Sequence, residues 1–297
     1  MGKKKKNKEQ LPEGMSRRQA KLAARAAERA ALERDPRPFG GFESEADLVA
    51  LQVFVPAATV DAKLKSGTEV KLVTVLPGAV AALVREDGKF VALQTNTGSQ
   101  NPGRDLAYQF AWVENAKPGE QLNSSANDGT QPALTDIFEG IGDITVEDNF
   151  DWWLPAGASQ VDPQYRELLQ RATDAIMPTQ HVDADVTGSA WWVDAGAKAH
   201  IRWVRTDDEE PLLKALARVG AAGDLHLGED TKFAGVFRTH GLVVPVFDLD
   251  PTMGAEEFKA PLEAVAKKIE AAFGDQELSP EERRYLENIK SRQVTIR

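Results

Sequence analysis

The chain has 297 residues, 42% of them hydrophobic, and a formal net charge of −10 at pH 7. It contains no Cys, which excludes disulfides, thiol catalysis and thiolate metal sites. No uncharged apolar run reaches the roughly 18 residues that indicate a membrane span, and no apolar segment of a signal peptide follows the Lys residues at 3–6. These features predict a cytoplasmic protein.

Charge is divided unevenly along the chain. Residues 1–39 hold twelve Lys and Arg and five acidic residues, a net charge of +7. The remaining 258 residues hold 24 basic and 41 acidic residues, a net charge of −17. The sequence therefore predicts a basic arm over residues 1–38, attached to a body that repels polyanions.

Within the arm, residues 2–14 have the composition of disorder, and Ser16 and Gln19 form a capping-box pattern. A helix is expected from there to Asp35-Pro36. Its basic residues are predicted to bind phosphate groups of RNA, the ribosome or another polyanion. They are Arg17, Arg18, Lys21, Arg25 and Arg29. The alternative is a solubilising tail without a dedicated partner.

The body begins with a predicted first α+β half over residues 39–118. Helices are expected at 44–54 and 104–116, and strands at 58–65, 69–76, 79–86 and 89–95. Glu86-Asp87-Gly88 marks a hairpin turn between the last two strands. Residues 119–132 are rich in Gly, Asn, Ser and Asp, which predicts a surface loop or a hinge.

Residues 133–297 form the predicted second α+β half. The sequence is compatible with one domain built from both halves and with two separate domains. Helices are expected to start at Asp162-Pro163, Asp208 and Ser279, and another spaces apolar residues from Phe258 to Phe273. Strands are expected at 189–194, 199–205, 232–238 and 242–248. The fold class is therefore α+β, with antiparallel hairpins and packing helices in each half.

The two halves share a local order of elements. Residues 87–116 and residues 239–270 each run from a turn through a strand and a polar loop into a helix. This order is consistent with a remote internal duplication, but α+β chains often show it by default.

Motifs for nucleotide, hydrolase and zinc-protease chemistry are absent from the sequence: there is no phosphate-binding loop, G-x-G-x-x-G, G-x-S-x-G or H-E-x-x-H. No cofactor is predicted. His181, Asp183 and Asp185 are weak candidates for a metal site on one face of a strand. His240, at a hairpin turn, is expected to tolerate unusual φ, while Asp248 and Asp250 are capping residues or candidate carboxylates.

Two adjacent Trp pairs, Trp152-Trp153 and Trp191-Trp192, place indoles on opposite sides if they lie in strands. One member of each pair is expected in the core. The other is a candidate interface anchor if it is exposed, although packing of all four is the favoured interpretation.

The stretches "DPRPFGGFESEADLVALQVFVPAATV", "HIRWVRTDDEEPLLKALARVG", "FRTHGLVVPVFDLD" and "RQVTIR" are similar to an actinobacterial family of unknown function, over nearly all of residues 36–297. Some members begin with a SEC-C motif, a Cys-rich zinc module, and are labelled SecA-like. This chain has no Cys and carries the basic arm in that place. The resemblance implies that module and arm are both docking devices for an anionic partner, the ribosome or a nascent-chain factor. It implies no catalytic residue.

Three functional hypotheses remain from the sequence. The leading one is a non-enzymatic accessory or adaptor protein that binds a polyanion through residues 1–34, with a protein as a further partner. Its rival is a metal-dependent enzyme or small-molecule binder with a cleft between the halves, using His181, Asp183, His240, Asp248 or Asp250. A structural oligomeric protein is the third, since the oligomeric state is not readable from the sequence.

Overall fold

The computed structural model describes residues 35–125, 131–155 and 162–295. Seven α-helices and thirteen strands lie in these ranges. The predicted α+β class is confirmed, with strands gathered into two sheets that follow one another along the chain. The five basic residues predicted to bind a polyanion lie outside the described ranges.

The first sheet is mixed and has seven strands in the order β5-β3-β4-β2-β1-β6, with β7 also paired to β1. Its strands are β1 (Ala58–Leu64), β2 (Glu69–Val73), β3 (Ala82–Arg85), β4 (Gly88–Ala92), β5 (Gln121–Leu122), β6 (Phe138–Ile141) and β7 (Thr145–Val146). Strands β2 and β4 are parallel, whereas every other pairing is antiparallel.

The second sheet has six strands in the order β13-β11-β12-β10-β9-β8. They are β8 (Thr179–His181), β9 (Ser189–Asp194), β10 (Ala199–Val204), β11 (Lys232–Thr239), β12 (Leu242–Leu249) and β13 (Val294–Thr295). Only the edge pair of β11 and β13 is parallel among these described strands.

The helices connect and cover the sheets. They are α1 (Glu45–Val53), α2 (Pro102–Asn115), α3 (Leu134–Ile137), α4 (Pro163–Asp174), α5 (Glu209–Ala221), α6 (Lys259–Ala271) and α7 (Pro280–Ser291). The capping box at the start of α7 forms as predicted: Glu282 N donates to Ser279 Oγ at 3.2 Å, and Ser279 N donates to the Glu282 carboxylate at 2.7 Å.

A shared core joins the two sheets. One apolar cluster contains buried residues of α1, α2 and the first sheet together with residues from one face of the second sheet. The contributions of the second sheet are Trp191, Val193, Val204, Leu242 and Val244. Because α1 supplies buried residues on several sides, it serves as the common packing element of both sheets.

The outer faces of the sheets are covered differently. Helices α5, α6 and α7 bury the other face of the second sheet in a large apolar cluster. The other face of the first sheet is covered by α4 and by Phe150, Trp152 and Trp153, in two small clusters. The second sheet is therefore enclosed on both faces by apolar layers.

The predicted division of the chain does not coincide with the division between the sheets. Residues 138–146 belong to the predicted second half, yet β6 and β7 pair with β1 of the first sheet. The expected loop or hinge at 119–132 contains β5, which pairs with β3. Short edge strands such as these carry too few residues for an alternating pattern to be visible in the sequence.

Within the described ranges, every helix is too short or too polar to span a lipid bilayer.

Candidate ligand-binding cleft between the two sheets

A cleft of about 530 Å³ lies where the two halves meet. The end of α1, the chain after β4 and the first turns of α2 form most of its wall, and the turn between β11 and β12 supplies the rest. The polar side chains that line it are Gln52, Gln94, Thr95, Asn96, Ser99, Asp105, Gln109, Thr239 and His240. Its volume is in the range that holds small molecules in proteins.

Two residues of α2 face the cleft from one side of the helix, because they are four positions apart. Asp105 is 6% exposed, and its Oδ2 accepts a hydrogen bond from Ser99 N at 2.6 Å. Gln109 is 3% exposed, and its Nε2 donates to Ser125 Oγ at 2.9 Å. A buried carboxylate and a buried amide on one face give the cleft a polar floor.

Gln52 approaches the same space from α1. Its Nε2 donates to the Leu93 carbonyl at 3.3 Å, which leaves Oε1 directed away from that carbonyl. Gln94 is held differently, since its Nε2 donates to the carbonyls of Leu51 and Val55 at 2.7 and 2.8 Å. Gln94 therefore fixes the end of α1 against the strand that leads into the cleft.

His240 is the contribution of the second sheet. Its φ of 50° and the φ of 75° at Gly241 give the left-handed pair that a tight hairpin turn requires, so the prediction of unusual φ is confirmed. The imidazole stacks on Phe39 with ring centroids 5.8 Å apart, and its Nδ1 lies 2.8 Å from Thr239 Oγ1. These contacts hold the imidazole at the rim of the cleft.

The base of the N-terminal arm passes beside the cleft, in a strap over Pro36–Phe39. A glycine from each half makes room for it: a Cβ at Gly103 would lie 2.4 Å from Pro38 O, and one at Gly241 would lie 2.2 Å from Pro36 O. Only glycine allows so close an approach of two backbones.

Arg37 ties this strap to both halves. Its guanidinium binds the buried carboxylate of Glu45 in α1 with N–O distances of 2.9 and 2.5 Å, and Nη2 also donates to Thr206 O at 3.3 Å. The hydrogen bond to Glu45 raises the pKa of Arg37 above its ordinary value. The position where the arm leaves the body is therefore fixed by a charge pair.

The other predicted carboxylates lie away from the cleft. Asp248 binds Lys198 Nζ at 2.5 Å, and its Oδ1 lies 3.2 Å from His200 Nδ1 on the neighbouring strand. Asp250 accepts hydrogen bonds from Thr252 N at 2.9 Å and Thr252 Oγ1 at 2.7 Å, and these bonds lower the pKa of Asp250. Asp250 acts as a turn-capping residue, in agreement with the structural interpretation of this pair.

The weak metal candidates lie on an exposed edge. His181, at the end of β8, contacts the Trp191 ring with centroids 5.0 Å apart. Asp183 lies 3.5 Å from Lys259 Nζ, and Asp185 N donates to the Glu263 carboxylate at 3.1 Å. Over the described ranges, no group of three or more His, Asp or Glu is arranged to hold a metal ion.

The tryptophans follow the favoured interpretation. Trp191 is fully buried in the shared core, Trp192 is 7% exposed in the cluster under α5 to α7, and Trp153 is 8% exposed. Trp152 is partly buried against the first sheet. Both indoles of the Trp191-Trp192 pair are buried because both faces of the second sheet are covered, which leaves neither as an interface anchor.

Sequence reasoning missed Gln52, Asp105 and Gln109. Glutamine and aspartate on a predicted helix are usually solvated, so their burial gave no local signal. One signal existed for α2: Asp105 and Gln109 are spaced to lie on the same face as the buried Leu106 and Phe110. Two polar residues on an otherwise apolar face indicate a polar site within the core.

The fold and the site define an α+β protein in which two sheets share a core and enclose a polar cleft. Residues 38–297 match DUF5926, a family of unknown function, and the chain belongs to this family. The predicted similarity to a family of unknown function is thus confirmed, while the SEC-C and SecA-like features of some members stay a prediction. No curated protein and no solved structure matched the chain.

Proposed function

We propose that this protein is a cytoplasmic accessory or adaptor protein that binds RNA, the ribosome or another polyanion through its basic arm. The observation that carries the proposal is the separation of charge, +7 over residues 1–39 against −17 over the rest. The body repels a polyanion, so binding depends on the arm. No enzymatic activity is part of the proposal.

The described contacts at the base of the arm support this function. The strap Pro36–Phe39 is held by Gly103, Gly241 and the Arg37–Glu45 pair, so the arm starts from a fixed point on the body. An arm attached in this way transmits its binding to the whole body, whereas an arm on a long linker would not restrict the body's position.

The test is co-sedimentation of the full chain with ribosomes, and its affinity for polyuridylate RNA across a salt series. One variant changes Arg17, Arg18, Lys21, Arg25 and Arg29 to Gln. Five neutralised contacts are expected to reduce the slope of log affinity against log salt by up to about 3.5 for a single strand. Binding at low salt is expected to fall steeply.

A matched variant separates the arm from net charge. It changes five exposed basic residues of the body to Gln, namely Lys65, Lys117, Arg166, Lys267 and Arg284. Both variants have the same net charge, yet only the arm variant should lose binding. If both lose binding equally, or neither does, the arm is not the binding element.

We also propose that the inter-sheet cleft binds a small molecule. The specific observation is a cavity of about 530 Å³ with a buried polar floor. A Thr95→Trp variant, which fills the cleft from its rim, tests this function. Small molecules that bind the native chain in ligand-observed NMR should no longer bind this variant.

A further inference from the structure

Two amide oxygens at the cleft have no hydrogen-bond partner among the described residues: Gln52 Oε1 and Gln109 Oε1. Both atoms are buried, and the whole Gln109 side chain is 3% exposed. Buried polar atoms in folded proteins nearly always have a partner, because an unsatisfied acceptor costs free energy. Because neither oxygen is exposed in the cleft, a bound molecule would reach them only after the two amide groups turn toward it.

The direction of these hydrogen bonds follows from the partners already present. Gln52 Nε2 donates to the Leu93 carbonyl, and a carbonyl only accepts, so the atom left for a ligand is the oxygen. Gln109 Nε2 is likewise engaged, with Ser125 Oγ at 2.9 Å. A ligand that satisfies both glutamines must bring hydrogen-bond donors.

The electrostatics of the cleft favour a donor that is positively charged. Among the described residues, no Lys or Arg lines the cleft, and Asp105 is its one carboxylate. An ammonium group is a donor without an acceptor, whereas a carboxylate ligand would bring further acceptors beside Asp105 and the two amide oxygens. Repulsion between like charges disfavours such an anion.

The rest of the wall is apolar. Val53, Val75 and Leu106 line the cleft beside the polar floor. A cavity of about 530 Å³ is too large for a simple ion and accommodates an organic molecule. The complementary ligand is thus amphipathic, with an apolar body and a cluster of N–H donors at one end.

We infer that the cleft binds a small organic amine. Its ammonium group donates to Gln109 Oε1 and Gln52 Oε1 near Asp105, and its apolar portion contacts Val53, Val75 and Leu106. This inference rests on the proposed small-molecule function of the cleft and names the chemical class of the ligand.

Matched probes test the class of ligand in the full chain. 2-Phenylethylamine carries an ammonium group, and phenylacetate carries a carboxylate on a similar apolar body. Affinities are measured by ¹H–¹⁵N correlation spectra, in which the side-chain amide signals of the glutamines report on the cleft directly. The amine is expected to bind at least about tenfold more tightly, because its ammonium group donates to the two amide oxygens, whereas the carboxylate of phenylacetate cannot donate and is repelled by Asp105.

Substitutions at Gln109 give opposite expected effects. Gln109→Leu removes the acceptor and should weaken amine binding about tenfold, with no change for phenylacetate. Gln109→Glu keeps an oxygen acceptor, adds a negative charge and should strengthen amine binding. Gln52→Leu is the second variant if Gln109→Leu does not fold. Gln121→Leu, at an exposed glutamine of β5, is the matched control and should bind as the native chain does.

Three results would overturn the inference, and they are distinguishable. If phenylacetate binds as tightly as the amine and both are lost in Thr95→Trp, the cleft is a small-molecule site for another class. If the amine binds but no glutamine substitution changes its affinity, the assigned contacts are wrong. If the affinity of neither probe changes in Thr95→Trp, neither probe occupies the cleft and the amine inference fails. The small-molecule function fails as well if no compound in the ligand-observed NMR comparison loses binding in Thr95→Trp.

Discussion

The first and second sheets place their four central strands in the same order, with the third strand outermost, then the fourth, the second and the first. They differ in direction. Strands β2 and β4 are parallel, whereas their counterparts β10 and β12 are antiparallel. Shared order with reversed direction shows that the order of strands alone does not define a common fold.

The connections between the hairpins explain the difference. In the first sheet, β3 runs opposite to β2, so β3 starts at the end of the sheet where β2 finishes. The short segment 74–81 is enough to connect the two strands. In the second sheet, β11 runs in the same direction as β10. The chain must therefore return along the full length of the strands before β11 can begin. Residues 205–231 make this crossover, with α5 as its main part, as parallel strands require.

The crossover begins at a fully buried arginine that has two carboxylate partners. Arg205 is fully buried over the Trp203 ring, and it binds Asp207 at 2.6 Å and Glu270 of α6 at 2.7 Å. The first sheet offers an exposed pair for comparison, in which Lys71 binds Asp61 at 2.8 Å across β1 and β2. The two pairs allow the halves to be compared by mutation.

The largest expected effect is from removing the carboxylates around Arg205. The Asp207→Ala, Glu270→Ala double variant leaves a guanidinium buried without an opposite charge, so the free energy of unfolding should fall by about 3 kcal/mol. Asp61→Ala, at the exposed pair, should cost less than about 1 kcal/mol. Urea unfolding followed by tryptophan fluorescence measures both.

A third variant separates the charge from the packing. Adding Arg205→Met to the double variant should recover most of the lost stability, because an apolar side chain of similar length replaces the uncompensated charge. Equal destabilisation by Asp61→Ala and by the double variant would contradict the assigned importance of the crossover pair.

A smaller effect is expected at the strap that joins the halves. Gly103→Ala would place a Cβ 2.4 Å from Pro38 O, so the strap must move, at a cost of about 1–3 kcal/mol. Gly254→Ala is the matched control: its φ of −82° is ordinary, and no atom lies within 4 Å of the added Cβ. The control should be neutral or slightly stabilising.

The same urea titration checks the strap, and limited proteolysis after Pro36 gives a second readout. Faster cleavage in Gly103→Ala than in Gly254→Ala would show that the strap has been released. Equal stability of the two variants would mean that Pro38 contributes nothing to joining the halves.

Much of the fold was predictable because its signals are local. The β11–β12 turn at His240, the capping box at Ser279 and the apolar spacing of α6 each depend on residues close in sequence, and each forms. What could not be predicted depends on distant contacts. The burial of Trp192 requires α5 to α7 above the sheet, and the cleft requires Gln52, Gln109 and His240 to meet from three elements.

The smallest expected effect compares one tyrosine from the cover of each sheet. Tyr165 of α4 lies over the first sheet, and Tyr285 of α7 lies on Gly220 of α5 over the second. Burial raises the pKa of both phenols above 10, partly offset by Arg85 and Arg292, respectively. The contribution of each phenol to stability is therefore complete below pH 10, where the phenol is protonated in the folded and in the unfolded protein. It is lost as the pH rises from 10 through the raised folded pKa.

Phenylalanine cannot ionise, so Tyr165→Phe and Tyr285→Phe should each lose less stability than the native chain between pH 9 and about 11. Urea midpoints measured across this range give the difference directly, and titration of lysines cancels because it is common to all three proteins. Each phenol is about half exposed to solvent, so the expected change is small.

Since both tyrosines are shifted in the same direction by the same cause, equal responses would show that the covers of the two sheets exclude water alike. A response at Tyr285 alone would show that the fully enclosed second sheet has the tighter cover, and no response at either would contradict burial as the cause.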